Sequence, residues 1–150
     1  DPVPGDYDGD GIFDLAVFEW PTGKWYIRPV HSMTPFVFQQ TWGNSRTLPV
    51  SGDFNGDGRF DLAVYDWRVG NWSIRSAGPG AVYVERFNWG AAGHWPEPGD
   101  YNGDGAWDIA VYRSWVAKEN WLITSIFPVP PIPSKQNWGT LSLTPVGCRY

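Results

Sequence analysis

An all-β fold of three repeats, each of four short strands, is what this sequence predicts, and three observations predict it. An acidic, glycine-rich phrase occurs as GDYDGDGIFD from Gly5, GDFNGDGRFD from Gly52 and GDYNGDGAWD from Gly99, spaced by 47 residues both times. Each copy runs directly into DLAVF, DLAVY or DIAVY, β-branched and aromatic runs suited to strands. Tryptophans keep the same beat. Trp25, Trp72 and Trp121 follow the loops within strand-like runs, and Trp42, Trp89 and Trp138 each precede a glycine. Helix-forming periodicity is evident nowhere.

The loop opens each unit. Read as positions 1, 3, 5, 7 and 9, the first copy offers the oxygens of Asp6, Asp8, Asp10, the Ile12 carbonyl and Asp14. The second offers Asp53, Asn55, Asp57, the Arg59 carbonyl and Asp61; the third offers Asp100, Asn102, Asp104, the Ala106 carbonyl and Asp108. Alternate oxygens around a glycine at position 6 (Gly11, Gly58, Gly105) suit Ca2+, which takes about six to eight hard oxygen ligands. Mg2+ fits less well because it demands stricter octahedral geometry. Position 12, where an EF-hand places a bidentate glutamate, is Val17, Val64 or Val111, so the ninth-position aspartate has to close the site. Turns rich in Asp, Asn and Gly also form without metal. Aspartate kept at positions 1, 5 and 9 in all three copies favours the metal. Up to three Ca2+ are expected, most tightly in loop 1, which has four carboxylates against three in each of the others.

Each unit then continues as a strand (DLAVF), a turn (PTGK), a strand (WYIRP), a connection, a strand (FVFQQTW) and an extended PVPGDY-type segment. DLAVF is apolar on both faces, as expected of a strand packed between neighbouring repeats. Four strands in about 47 residues fit a β-propeller blade. The first two tryptophan sets are expected in the core between blades. Trp20, Trp67 and Trp115, just before the turn between the first two strands, are the candidates for exposure and for contact with a glycan or partner. Trp95 and Trp107, outside the repeated sets, join them as possible platforms.

Composition narrows the partners. Ten of the sixteen acidic residues lie inside the loops, so the rest of the chain holds six acidic and eleven basic residues. The acidic balance therefore reports the metal sites, and three bound Ca2+ would move the formal charge from −5 to about +1. Neither nucleic-acid binding nor a polybasic membrane contact is supported, and no apolar run approaches the roughly 20 residues of a membrane helix. No signal peptide is present, and a start at Asp1 rather than Met suggests a processed protein or a fragment. A single cysteine, Cys148, excludes an internal disulfide framework. Open calcium loops favour an extracellular or cell-surface setting, because cytosolic free calcium is too low to fill weak sites. The sequon Asn71-Trp72-Ser73 agrees with that.

PVPGDYDGDGIFDLAVF and its two copies resemble FG-GAP/VCBS-type repeats, the calcium-binding blades also seen in integrin alpha-subunit propellers. The resemblance covers nearly the whole chain and rests on the DxDxDG…D motif with its following strand. It implies a secreted or surface-exposed β-propeller with a stabilising calcium in each blade. It also implies roles in adhesion, recognition or structure, often beside catalytic domains. Asn55 and Asn102 depart from the family's third-position acid, which bears on affinity more than on binding.

The expected organisation is blade 1 over residues 1–47, blade 2 over 48–94, blade 3 over 95–143 and an extra strand segment over 144–150. That last segment, TPVGCRY, aligns with LPVSGDF, but Arg149 stands where the first ligand would be. Propellers close with about four to eight blades, so three leave exposed edges that recruit other strands. Completion by self-association, through blade edges and the C-terminal strand, is expected as a ring or filament; a piece of a longer propeller is the alternative. Cys148 is either a buried small residue or a leftover thiol. FPVPPIPS, from Phe127 to Ser134, has polyproline character and is expected on the surface.

No catalysis is expected. His31 and His94 lie in unrelated contexts beside no nucleophile, and the carboxylates that imitate a glycosidase pair belong mostly to the loops. Phosphate-cradling loops, a nucleophile elbow and HExxH are all missing. The leading expectation is a calcium-stabilised extracellular propeller module for assembly or adhesion. The alternatives are a carbohydrate-binding propeller and an accessory module of a larger secreted protein.

Overall fold

The computed structural model describes residues 1–32, 37–78, 81–113, 120–126 and 135–136. Among them there is no helix, and the strands form three antiparallel sheets. Sheet 1 holds β1 (Leu15–Glu19), β2 (Lys24–Arg28) and β3 (Val37–Thr41) in that order. Sheet 2 holds β4 (Thr47–Gly52), β5 (Asp61–Asp66), β6 (Asn71–Ser76) and β7 (Val82–Asn88), again in chain order. Sheet 3 holds β8 (Trp95–Pro96), β9 (Ile109–Tyr112), β10 (Trp121–Thr124) and β11 (Lys135–Gln136). These strands do not close a ring among the described residues, and no helix is long and apolar enough to cross a membrane.

The segment before each loop belongs to the same sheet as the strand after it. β4 pairs with β5 from Thr47↔Asp66 to Gly52↔Asp61. The N-terminal residues do the same beside β1, through bridges Pro2↔Val17 and Gly5↔Asp14, with the Val3 N–H donating to the Ala16 carbonyl at 2.9 Å. Each loop therefore connects two adjacent antiparallel strands, and the PVPGDY-type segment starts a sheet rather than finishing one.

The WG pairs have a structural cause that spacing alone does not reveal. In sheet 1 the hairpin turn ends at Gly23, whose N–H donates to the Glu19 carbonyl at 2.9 Å. Gly23 has φ +75°, and a Cβ there would collide with the backbone of Gly43. Trp42, just before Gly43, accepts the Trp25 indole N–H on its carbonyl at 2.8 Å. Sheet 2 repeats the arrangement with Gly70 against Gly90 and the Trp72 indole on the Trp89 carbonyl at 3.0 Å. The indole N–H is thus satisfied while its ring fills the core, which is what a buried tryptophan requires.

Two apolar clusters join the sheets. One packs Ala16, Phe18, Trp25 and Ile27 of sheet 1 against Leu62 and Val64 of β5. The other packs Ala63 and Tyr65, on the opposite face of β5, against Ile109 and Val111 of β9. β5 is accordingly buried on both faces, as the DLAVY run predicts, and so is β9. β1 departs from that expectation: its burial alternates, with Leu15 and Val17 exposed, because no sheet among the described residues lies on its second face. Trp25 and Trp72 are fully buried, and Trp42 and Trp89 pack against the clusters. Trp115, Trp138, Cys148, Arg149, the segment 127–134 and the extra segment 144–150 lie outside the described residues.

Candidate metal-binding loops

Each loop is organised around its first aspartate. In loop 1, Asp6 Oδ1 accepts the N–H groups of Gly9 at 2.7 Å and Asp10 at 3.1 Å, while Oδ2 accepts that of Gly11 at 2.8 Å. Gly9 and Gly11 stand at φ +80° and +84°. This left-handed backbone, open to glycine at little cost, turns successive N–H groups inward. Loop 2 repeats the set on Asp53, from Gly56, Asp57 and Gly58 at 2.7, 3.1 and 2.8 Å. Loop 3 repeats it on Asp100, from Gly103, Asp104 and Gly105 at 2.6, 3.2 and 3.0 Å. In loops 1 and 2 the three N–H donors leave the carboxylate, with about four lone-pair sites, one direction free for a cation.

The other side chains follow the same plan. Asp8 accepts from the Asp10 N–H at 3.1 Å and Asp10 from the Ile12 N–H at 2.8 Å. Asp14 closes the loop by accepting the Tyr7 N–H at 2.9 Å. Asp61 and Asp108 do likewise with Phe54 at 3.0 Å and Tyr101 at 2.9 Å. Asp6, Asp8 and Asp14 each present an oxygen within 4.8 Å of the others, and Asp6 and Asp14 are buried. Asp10 stays at the exposed rim. Val17, Val64 and Val111 lie in β1, β5 and β9, which leaves position 12 no part in a site.

Asparagine changes loops 2 and 3 in a specific way. Asn55 accepts the Asp57 N–H through its oxygen at 2.9 Å and donates its amide to the Asp57 carboxylate at 3.0 Å. It also donates to the Tyr83 hydroxyl of β7 at 2.6 Å. Asn102 repeats the bond to Asp104 at 3.0 Å and reaches the Ser125 hydroxyl at 3.2 Å. The amide thus relieves carboxylate repulsion that Asp8 cannot relieve in loop 1. Tyr83, in β7, and Ser125, just after β10, escape sequence reading because they lie far from the loops along the chain.

Electrostatics favour a cation. Burial pushes the Asp61 carboxyl up to about 8, and the neighbouring charges of Asp57 and Asp53 push it the same way against the Phe54 N–H. Burial likewise raises Asp14, assisted by Asp8 and Asp6. Carboxylates buried beside their own sign need either a proton or a cation. At Asp100 burial acts upward, but the N–H groups of Gly105, Gly103, Asp104 and Asn102 outweigh it and hold the carboxyl below its usual value. The donor set, all hard oxygen, fits Ca2+ in chemistry.

The remaining candidates divide. Trp20 and Trp67 are exposed; the Trp20 indole donates to the Ser45 carbonyl at 3.2 Å, and Arg68 lies 5.0 Å over the Trp67 ring. Trp95 is exposed too. Trp107 is not a free platform, because its ring covers Gly52 and meets Phe60 edge-on at 5.5 Å. His94 is buried, with Nδ1 3.2 Å from the Ala91 carbonyl oxygen, and burial lowers its pKa.

Residues 53–111 match the family model of the FG-GAP-like repeat, consistent with an FG-GAP-type repeat family. The matched span runs from the first aspartate of loop 2 through β5, β6, β7, β8 and loop 3 into β9. No curated protein and no solved structure matches the chain.

Proposed function

We propose, from the FG-GAP-type repeat that the chain carries, that it is a non-catalytic, calcium-stabilised β-propeller module working outside the cell in adhesion or assembly. The observation that carries this reading is the loop geometry made three times over, with the same N–H donors on Asp6, Asp53 and Asp100. Calcium then acts as a rivet. It ties the first aspartate, just past the end of one strand, to the ninth, at the start of the next, and replaces a destabilising charge cluster with a coordinated one. Self-association through uncovered blade surfaces completes the array. Calorimetric titration of the metal-free chain with Ca2+ and Mg2+ tests the reading. Saturable Ca2+ binding with weak Mg2+ binding is expected, and no heat with either would overturn it.

The exposure of Trp20 and Trp67 favours a second reading, a carbohydrate-binding propeller whose rings stack on sugar faces. Arg68 occupies one face of Trp67, so a sugar would take the other. A glycan array with wild type beside Trp67→Ala decides it. Binding lost in the variant supports the lectin, and no binding by either removes it.

A further inference from the structure

The two contacts between neighbouring loops are the same contact. The Phe60 N–H donates to the Asp6 carbonyl at 2.7 Å, and the Trp107 N–H donates to the Asp53 carbonyl, also at 2.7 Å. Both donors hold position 8 of their loop. Each ring lies flat against the glycine before the acceptor, Phe60 on Gly5 and Trp107 on Gly52, where a Cβ would collide with it. The aromatic at position 2 is sealed beneath: Tyr7 and Phe54 are both 0 % exposed.

Both halves of this contact are present once more without a counterpart among the described residues. Loop 3 carries the receiving half, Gly99, Asp100 and Tyr101, in the same PGDY sequence as Gly5, Asp6 and Tyr7. There Tyr101 is 43 % exposed, and a Cβ on Gly99 would meet only the ring of Tyr101 itself, at 3.5 Å. Loop 1 carries the inserting half. Phe13 is 58 % exposed, and below it Leu15 and Val17 are 54 % and 48 % exposed, where their equivalents Leu62 and Val64 are 0 % and 4 %.

We propose that loop 1 of one copy docks on loop 3 of a second copy, with Phe13 seated on Gly99 and its N–H on the Asp100 carbonyl. The occupant is a second copy because the receiving residues match those that already accept Phe60 inside the chain, and the inserting residue is again phenylalanine. The contact is head to tail, so it builds a ring where its rotation closes and a filament where it does not. It is a docking of loops, not the addition of a strand to a sheet edge. Ala110 and Tyr112 are already buried, so sheet 3 offers its loop corner alone. A contact that small belongs with the weak class that buries under about 1,200 Å2, and it forms at high protein concentration. The inference rests on the assembly part of the proposed function and not on its calcium-binding part.

Sedimentation velocity in saturating Ca2+, up to on the order of 100 μM protein (the range where weak contacts with micromolar Kd populate), tests it. Wild type is expected to form dimers and longer species as concentration rises. Gly99→Ala places a methyl where Phe13 must sit but in the single copy meets the Tyr101 ring at ordinary van der Waals distance, so a folded monomer with unchanged circular dichroism is expected. Phe13→Ser removes the other half together with its ring contact to Phe60 at 5.5 Å, so it too is expected to be a monomer, with circular dichroism reporting that the fold is kept. An equimolar mixture of the two variants, each keeping one intact half, is expected to stop at the dimer. A wild-type monomer at every concentration, or Gly99→Ala associating as wild type does, overturns the proposal. Calcium titration of the same samples keeps the two readings apart: binding without association sinks only the interface, and association without binding sinks only the metal.

Discussion

The backbone N–H of Phe60 sits 2.7 Å from the carbonyl oxygen of Asp6, so the first aspartate of one loop is held by the loop of the next repeat. Metal loops and sheet packing are therefore one structure. A cation that fixes Asp6 on its carboxylate side also fixes the acceptor on which the neighbouring repeat hangs. Calcium at about a hundredfold over its dissociation constant is expected to stabilise the fold by about 2.7 kcal/mol for each independent site. Differential scanning calorimetry with calcium and with chelator checks this; superimposed transitions would contradict it.

The three loops are expected to differ. Loop 1 combines four carboxylates with the Asp6, Asp8 and Asp14 cluster, whereas Asn55 and Asn102 spend their amides on Asp57 and Asp104. Asp14→Ala should remove the tightest step of a calcium titration, and Asp61→Ala or Asp108→Ala a weaker one. Equal losses in all three variants would refute the ranking.

Asp61 sets the pH response of the metal-free chain. Its carboxyl is raised from 3.8 to about 8 in the folded state, so between those values the folded chain holds a proton that the unfolded chain has released. Its contribution is fully present below 3.8 and is lost as pH rises through about 8. Metal-free stability is expected to fall with rising pH across that window, and saturating calcium should flatten the slope, because the cation takes the proton's place. Thermal melts from pH 4 to 9, with and without calcium, read both slopes; parallel curves would count against it.

The tryptophans should separate into two classes. Trp72 is fully buried with its indole on the Trp89 carbonyl, so Trp72→Ala is expected to cost about 3–5 kcal/mol. Trp67 lies outside the core clusters, and Trp67→Ala should stay within about 0.5 kcal/mol. Urea denaturation of both variants measures the gap.

Two glycines with nearly equal φ should behave differently. Gly11, at φ +84°, has nothing within 4 Å of where a Cβ would stand, so alanine there costs only the left-handed strain of about 1–2 kcal/mol. Gly23, at φ +75°, would in addition drive a Cβ into the backbone of Gly43. Gly23→Ala is expected to be the more damaging, and a comparison of denaturation midpoints decides it.

Much of this was legible because it is local. The loop residues lie within nine positions of one another, and DLAVY reads as a strand buried on both faces from its own composition. The misreadings concern relations between distant segments. β1 shares the composition of β5, yet Leu15 and Val17 are exposed because burial depends on a neighbour that a strand's own residues cannot reveal. Trp107 looked free of the repeat, but its place is fixed by Gly52 in the preceding unit. Glycine's value in the WG pairs likewise comes from the Gly23 and Gly70 turns packed against them.

β5, enclosed on both sides, gives the array a centre. Among the described residues the middle sheet packs against both others and each of these against it alone, so opening should begin at either end and reach β5 last. Amide exchange would then read as a gradient, slowest at Ala63 and Val64 and faster outward through β1 and β9. Once sheet 2 has lost both companions, nothing remains to shield it. The chain thus frays like a short stack, and its endurance is set by how many neighbours each layer keeps.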